Sequence, residues 1–312
     1  LYELYKSLNA KLIEITKERF DKEERGKTVK LQTESKGKID EKIPLNLILK
    51  GVPGTGKSRM IDKILENRLK IIDFPENILR INIHSAITNA ELMQGIGIST
   101  TKDGNILYLE KEGLVLNHIK KAILHPNQPF VLILEEVQEN SLNELIGDLI
   151  YLIEEDKRTD LIQVIEKAKN DGINLYDKSF NDVTELVKFL IEKKLIDRSK
   201  YVEIPYLIEG KTEYRPLIFP KNLYIFCTSN YREDKKIMED NLLRRFTVIE
   251  LYPKKEVVPE VVREFFEALN DSILKTLESE THSDRYLIGH AIFLNVKDKE
   301  TFAQAMIKVL AE

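Results

Sequence analysis

Along most of this chain, short apolar runs alternate with segments whose apolar residues recur every three or four positions. The first pattern is typical of buried strands and the second of helices that face a core. The predicted helices lie at 57–69, 113–123 and 142–154, and the predicted strands lie at 45–49, 78–83, 130–134 and 223–228. Strands that alternate with helices in this way predict a parallel α/β sheet.

Two other parts of the chain have helical patterns of their own. Leu4, Leu8 and Leu12 predict a first helix through about residue 20, followed by an exposed charged connector over 21–42. Two amphipathic helices are predicted within 159–200, from the apolar positions Leu161, Val164 and Ala168 and then Val183, Leu186 and Leu190. Such stripes usually pack against a core, and docking of a partner is the alternative.

A phosphate-binding motif follows the first predicted strand. The sequence Gly51-Val52-Pro53-Gly54-Thr55-Gly56-Lys57-Ser58 fits the pattern G-x-x-x-x-G-K-S/T. In such a loop, glycines allow successive backbone N–H groups to surround an anion, the lysine reaches the β- and γ-phosphates, and the hydroxyl can ligate Mg²⁺. The helix that follows directs its positive dipole end at the same phosphates. The flanking strand and helix argue against a chance match.

Two carboxylates, Glu135 and Glu136, end the third predicted strand. In phosphate-loop enzymes the first acidic residue at such a position usually holds the Mg²⁺ water shell, and the second can polarise the attacking water. A solvated strand end is the alternative, but the phosphate loop earlier in the chain favours a site. We therefore predict that Glu135 supports the metal, although aspartate is usual there, and that Glu136 orients water.

Three polar residues in the last third of the chain are further candidates. Asn230 follows the fourth predicted strand and would lie beside the acidic pair if the two strands are neighbours, where it could hold water or sense the γ-phosphate; the start of a turn is the alternative. Arg244 and Arg245 end a short predicted helix. They act either as an arginine finger on a transferring phosphoryl group or simply as cations at a helix C-terminus.

Composition sets broad limits on function. The 312 residues carry a formal net charge of −4, which does not favour binding of nucleic acid by the whole molecule. The single cysteine, Cys227, lies in an apolar run and excludes a disulfide within the chain. There is neither a membrane-spanning apolar stretch nor a signal peptide, so we expect a cytoplasmic protein without a membrane partner. The chain begins at Leu1 rather than Met, so a preceding domain is an open expectation.

The order of these parts resembles the AAA+ NTPases. It is most similar to the clade with an insertion in the second helix, which includes the MoxR-type chaperone ATPases and the McrB-type motor subunits of restriction systems. The segment 95–108 is similar to that insertion, and 201–219 is similar to the hairpin before the Asn-bearing strand. Further McrB-like segments are 152–158, 219–225 and 286–293. The last contains His290, which is either a core histidine or part of a lid over the nucleotide.

The resemblance implies an α/β fold, an AAA+ P-loop NTPase core in which helices flank a parallel sheet, with a small C-terminal helical lid. The expected parts are an N-terminal helix and connector over 1–42, a nucleotide-binding subdomain over 43–252 with its helical insertion at about 159–200, and a lid over 253–312. The implied cofactors are Mg²⁺ and GTP or ATP. The implied active form is a homo-oligomeric ring, most simply a hexamer, in which the arginine pair completes a neighbour's site.

For function, the resemblance implies hydrolysis that drives DNA translocation for an McrC-like endonuclease subunit. DNA would bind through a separate N-terminal domain outside this chain. A MoxR-type chaperone ATPase and a non-hydrolysing, nucleotide-switched scaffold are the alternatives. The sequence departs from the McrB-type pattern at Glu135, at Glu139 and around Asn230. The overall McrB likeness implies GTP, and these departures leave ATP as the open alternative.

Overall fold

The structure is a computed structural model that describes residues 28–100, 104, 106–147, 149–208, 214–230, 240–280 and 282–311, without the side chains of Asp240 and Asn241. The predicted helix over 1–20 lies outside these ranges. Within them, five strands form one parallel sheet in the order β2-β5-β8-β1-β9. Their bounds are β1 Asn46–Gly51, β2 Ile78–Asn82, β5 Phe130–Glu135, β8 Leu223–Asn230 and β9 Thr247–Leu251.

The parallel α/β sheet predicted from the sequence is confirmed, and each predicted strand lies within two residues of its observed position at both ends. Strand β8 is buried along its whole length, as the centre of a sheet covered on both faces requires. The edge strand β9 was missed, because its alternating exposed and half-buried residues lack the continuous apolar run of a central strand.

Helices pack on both faces of the sheet. Helix α1 occupies Lys57–Ile64 and continues as a π-helical turn over Leu65–Leu69. The predicted helix at 142–154 is instead two short helices, because Gly147 has a φ of 53° and breaks the helical path. The other helices are α2 Asn89–Leu92, α3 Leu114–Leu124, α4 Leu142–Ile146, α5 Leu149–Leu152, α6 Leu161–Asn170, α7 Val183–Glu192, α8 Asp240–Leu243, α9 Glu260–Thr276 and α10 Lys299–Ala311.

Two antiparallel hairpins project from this body, both at positions expected from the sequence. Strands β3 Gln94–Thr100 and β4 Ile106–Glu112 form the first, and β6 Tyr201–Ile204 and β7 Arg215–Ile218 form the second. Arg215 joins them through a hydrogen bond to Gln94 and an ion pair with Glu110 of the first hairpin. Between the hairpins in sequence, helices α6 and α7 bury their apolar stripes in the main core, so these stripes serve packing.

Most of the described residues 28–42 are exposed, as their charge predicts, but the segment also makes contacts with the body that the sequence does not predict. Val29 exchanges backbone hydrogen bonds with Phe180, and Leu31 is buried in the main core. The segment therefore lies along the body as an extended strap. The sequence hides this because single apolar residues stand between charged ones, without a helical or strand period.

The C-terminal residues have a small core of their own. Val258 and Phe266 pack with Ile288, Phe293 and Ala305 in a cluster separate from the two clusters on the faces of the sheet. No helix among the described residues combines the length and apolar character needed to cross a membrane.

Candidate nucleotide site

The phosphate loop connects the carboxyl end of β1 to the start of α1. Its glycines Gly54 and Gly56 have φ angles of 75° and 82°, values in the left-handed region that favours glycine. The Thr55 hydroxyl donates to the carbonyl of Val52 at 2.9 Å, which fixes the turn from within. The backbone thus has the left-handed glycines that the motif predicts, and α1 begins directly after the loop, as in sites where a helix N-terminus binds phosphate.

Lys57, Asn230 and Glu136 form a continuous chain of hydrogen bonds. The Lys57 ammonium donates to Oδ1 of Asn230 at 2.5 Å and to the carbonyls of Gly51 and Val52 at 3.0 and 3.2 Å. The Asn230 amide in turn donates from Nδ2 to Oε2 of Glu136 at 2.5 Å. The neighbouring positions of β5 and β8 in the sheet create this contact, as expected if the strands were adjacent.

Ser58 and Glu135, the two predicted metal ligands, are in direct contact. The Ser58 hydroxyl donates to Oε2 of Glu135 at 3.0 Å, and the Thr228 hydroxyl donates to the same oxygen at 2.8 Å. Hydroxyl and carboxylate oxygens are the ligands that Mg²⁺ prefers, and it usually takes its remaining ligands from water and substrate phosphates. No cluster of three His, Cys, Asp or Glu in the described ranges forms a metal cage by itself. The residues therefore fit Mg²⁺ held jointly with a nucleotide.

Arg80 adds a positive charge beside this carboxylate. Its guanidinium pairs with Oε1 of Glu135 at 3.2 Å and also with Asp62 of helix α1. Arg80 stands on β2, the strand next to β5, so the sheet places it at the acidic strand end. One oxygen of Glu135 thus contacts an arginine while the other contacts the two hydroxyls.

Gln138 and Thr228 are site residues that sequence reasoning missed. Gln138 is 1% exposed and donates to Oε2 of Glu136 at 2.6 Å, while its Oε1 accepts from the Asn230 backbone at 3.2 Å. Thr228 accepts from the backbone N–H of Glu136 at 3.2 Å. Glu136 itself has a φ of 58°, a rare conformation for a residue with a side chain. The signal in the sequence that could have identified Gln138 and Thr228 is that both are polar residues at or just after the end of an apolar strand.

The C-terminal part touches the phosphate loop directly. The backbone N–H of Ala291 donates to the carbonyl of Gly54 at 3.0 Å. Gly289 lies so close that an added Cβ would stand 1.9 Å from the carbonyl oxygen of Pro53. Only glycine allows this approach of two backbones, so the segment around Gly289 is fitted to the loop.

His290 follows Gly289 and is buried beside the phosphate loop. Its Nδ1 accepts the backbone N–H of Lys254 at 3.2 Å, which leaves the ring proton of the neutral form on Nε2. A Cβ added to Gly56 would lie 3.8 Å from that Nε2. Burial, assisted by the charge of Lys254, holds the pKa of His290 below its usual value. The burial and the backbone hydrogen bond of His290 agree with a core histidine, and its place beside Gly56 also agrees with a lid group, so both interpretations stay open.

The arginine pair lies at the amino ends of the parallel strands, opposite the phosphate loop. Arg244 and Arg245 directly precede β9, whose Thr247 pairs with Leu47 at the amino end of β1. The phosphate loop lies at the carboxyl end of the same strand. The length of β1, roughly 17 Å at about 3.3 Å per residue, therefore separates the arginine pair from the loop. Arg244 is exposed, whereas Nε of Arg245 pairs with Oε1 of Glu154 at 2.7 Å. The structure does not bring either arginine to the phosphate loop of its own chain.

A phosphate loop, an acidic strand end and an asparagine on the adjacent strand define a P-loop NTPase of the AAA+ type. The chain belongs to the AAA domain family, dynein-related subfamily, whose match covers residues 46–246. It is also 24% identical over 135 residues to the EcoKMcrB subunit of the type IV methyl-directed restriction enzyme of Escherichia coli K12. That match covers 43% of this chain and 28% of the relative, so this chain spans less than a third of that protein.

Solved structures with similarity to the chain include NtrX from Brucella abortus and PCH-2 from C. elegans. The NtrX match has a TM-score of 0.31 and 12% identity, and covers 95% of this chain and 53% of that one. The PCH-2 match has a TM-score of 0.28 and 16% identity, and covers 85% and 51%. Family membership therefore rests on the sequence match, which agrees with the strand order and the site.

Proposed function

We propose that this protein hydrolyses nucleoside triphosphates, with Glu136 orienting the attacking water. The observation that carries the proposal is the hydrogen-bonded chain from Lys57 through Asn230 to Glu136, which joins the phosphate-binding cation to the carboxylate. In this arrangement a γ-phosphate that draws Lys57 away from Asn230 also changes the contact between Asn230 and Glu136. The state of the nucleotide would thereby reach the group that activates water.

The other residues of the site divide the remaining work. Backbone N–H groups of the loop and of the start of α1 bind phosphate oxygens, and Lys57 neutralises their charge. Ser58 and Glu135 would hold Mg²⁺, which supplies charge neutralisation to the β- and γ-phosphates. Gln138 and Thr228 hold the carboxylates in place through the bonds given above. His290 would donate its Nε2–H toward the nucleotide from the C-terminal side.

The active form that we propose is a closed ring, a hexamer in the simplest case. Arg244 lies far from the phosphate loop of its own chain, so it can serve as an arginine finger only toward a neighbouring subunit. A head-to-tail ring provides such contacts, because each subunit presents one edge to the next. Each site would then combine the loop of one chain with the arginine of another, and hydrolysis would require assembly.

For the biological role, we propose a GTP-driven motor subunit of a restriction system. The support is the 24% identity with the EcoKMcrB subunit of a restriction enzyme. The partners we propose are an endonuclease subunit and DNA, the latter bound through a separate N-terminal domain, and the location we propose is the cytoplasm. The Glu135–Arg80 pair favours the non-hydrolysing scaffold as a second candidate, since an arginine competes with Mg²⁺ for the carboxylate.

The decisive experiment measures phosphate release from GTP and from ATP in parallel, with Mg²⁺ and at concentrations where rings form. We expect turnover with GTP faster than with ATP, and loss of turnover by about 100-fold or more in Glu136→Gln, which keeps the size of the side chain. Glu136→Gln should still bind triphosphate. Equal turnover by wild type and Glu136→Gln would refute the role of Glu136, and triphosphate binding without phosphate release would favour the scaffold.

A further inference from the structure

A buried polar cluster lies at the amino ends of the parallel strands, opposite the phosphate loop. Asn46, the first residue of β1, donates from Nδ2 to the carbonyl of Ile153 at 2.8 Å and to the carbonyl of Arg245 at 2.9 Å. Arg158 donates to Oδ1 of Asn46 and so fixes the orientation of the amide. The Asn46 side chain therefore ties two separate segments of the chain to the end of one strand.

Arg158 is an unusual residue for such a position, since it is 0% exposed. Within the described part of the chain its hydrogen bonds go to uncharged oxygens, which are Oδ1 of Asn46 and the carbonyls of Ile153, Pro220 and Leu223. Its guanidinium also stacks on Phe219 at 4.6 Å. Burial lowers the pKa of Arg158 to about 9. A buried cation costs free energy unless its donors are satisfied, and Asn46 satisfies one of them.

The segments tied by Asn46 also carry an ion pair at the turn of Arg244 and Arg245, which we call the arginine turn. Ile153 directly precedes Glu154, whose carboxylate pairs with Arg245. The turn is thus held twice, at the backbone carbonyl of Arg245 by Asn46 and at its side chain by Glu154. These two bonds occupy Arg245 with its own chain, whereas the side chain of Arg244 is exposed.

We infer that Asn46 is a positioning residue for the arginine turn, that Arg245 and Glu154 brace this turn, and that Arg244 is the group delivered to the neighbouring subunit. The inference rests on the proposed function, in which an arginine acts between subunits. Strand β1 carries Asn46 at one end and the phosphate loop at the other. One strand therefore connects the nucleotide site of a subunit with the arginine that this subunit places in the site of its neighbour.

The test variant is Asn46→Asp. The change keeps the shape and gives the buried Arg158 a counter-ion, but it replaces the donor to the Arg245 carbonyl by an acceptor that repels it. We expect unchanged triphosphate affinity and turnover reduced about 10- to 100-fold, since small displacements of a reacting group cost this much. The matched control is Asn77→Asp, which removes an equally buried amide donor far from the turn and should keep wild-type turnover per folded molecule.

Mixed rings separate a misplaced arginine from a damaged nucleotide site. Asn46→Asp subunits retain an intact loop, so mixing them with Lys57→Ala subunits, which supply an intact arginine turn, should restore turnover. Mixing Asn46→Asp with Arg244→Ala should restore none, because neither supplies a well-placed arginine. The opposite pattern would place the defect in the nucleotide site of Asn46→Asp itself and overturn the inference.

Two further measurements distinguish failure of the positioning role from misfolding and from failure of the proposed function. Glu154→Gln weakens the same brace from a more exposed position and should behave as Asn46→Asp does, so it replaces that variant if the latter fails to fold. Mixing Arg244→Ala with Lys57→Ala tests the proposed function separately. If that mixture restores nothing although mixed rings form, the action between subunits is refuted; if it does restore turnover and Asn46→Asp follows the wrong pattern, only the positioning role is refuted.

Discussion

At the scale of single residues, the adjacent arginines Arg244 and Arg245 have different surroundings and should respond differently to mutation. Arg245→Ala leaves the partly buried carboxylate of Glu154 without its ion-pair partner, so we expect a loss of about 1–2 kcal/mol in the free energy of unfolding. Arg244→Ala removes an exposed side chain and should change stability by less than about 0.5 kcal/mol while reducing turnover.

Urea denaturation and phosphate release, measured on both variants, check this difference. Lys308→Ala, at an exposed position of helix α10, provides a control for removal of a single positive charge. Similar losses of stability in Arg244→Ala and Arg245→Ala would show that the two arginines share one structural role.

Residues that belong to a continuous sequence motif could be predicted from the sequence. The phosphate loop around Lys57 and the pair Glu135 and Glu136 are such cases, since each lies next to a recognisable strand. Gln138 and Asn46 were missed because their roles depend on partners about 90 to 200 positions away in the sequence. A buried amide becomes meaningful only when the sheet order places its partners beside it.

At the scale of elements, strand order explains which contacts could be expected. The apolar run of β5 predicts a central strand, and the observed adjacency of β5 and β8 brings Asn230 to Glu136. The run predicted as one helix over 142–154 contains Gly147, whose positive φ depends on local backbone geometry that apolar periodicity does not report. The edge strand β9 was missed because its exposed and half-buried residues leave no continuous buried apolar run.

Helix α3 contains a histidine that should make stability depend on pH. His118 is 5% exposed and hydrogen-bonds through Nε2 to the carbonyl of Val131 in β5 at 3.1 Å. Burial lowers its pKa from 6.5 to about 4. Because the folded state binds this proton less readily than the unfolded state, stability is full above pH 6.5 and falls as the pH drops from 6.5 toward 4. The loss attributable to His118 amounts to roughly 3 kcal/mol.

Chemical denaturation at several pH values between 4 and 7 measures this dependence. His118→Gln retains a donor for the Val131 carbonyl without a titrating ring, so the difference between wild type and variant isolates the histidine from the carboxylates. We expect the stability of the two proteins to converge as the pH falls. Parallel pH profiles would contradict the prediction.

The contact between the C-terminal segment and the phosphate loop provides a second prediction for an element. Gly289→Ala introduces a Cβ 1.9 Å from the carbonyl oxygen of Pro53, so the segment must move away from the loop and take His290 with it. We expect triphosphate affinity to fall about tenfold, the equivalent of roughly 1.4 kcal/mol, and turnover to fall as well. Gly97→Ala, whose Cβ would meet nothing closer than 3.7 Å, is the control. Calorimetry with unchanged affinity in Gly289→Ala would remove this segment from the site.

At the scale of the whole molecule, the phosphate loop and Arg244 lie at opposite ends of strand β1. This separation leads to a quantitative prediction for mixed rings. Lys57→Ala subunits contribute arginines but no working loop, and Arg244→Ala subunits contribute the reverse. In a head-to-tail ring with random mixing, the fraction of interfaces with both intact parts is the product of the two subunit fractions, with a maximum of about one quarter at equal amounts. Turnover plotted against composition should therefore rise from near zero at both ends to a maximum in the middle. A flat profile, measured on samples in which native mass spectrometry detects mixed rings, would mean that each subunit completes its own site.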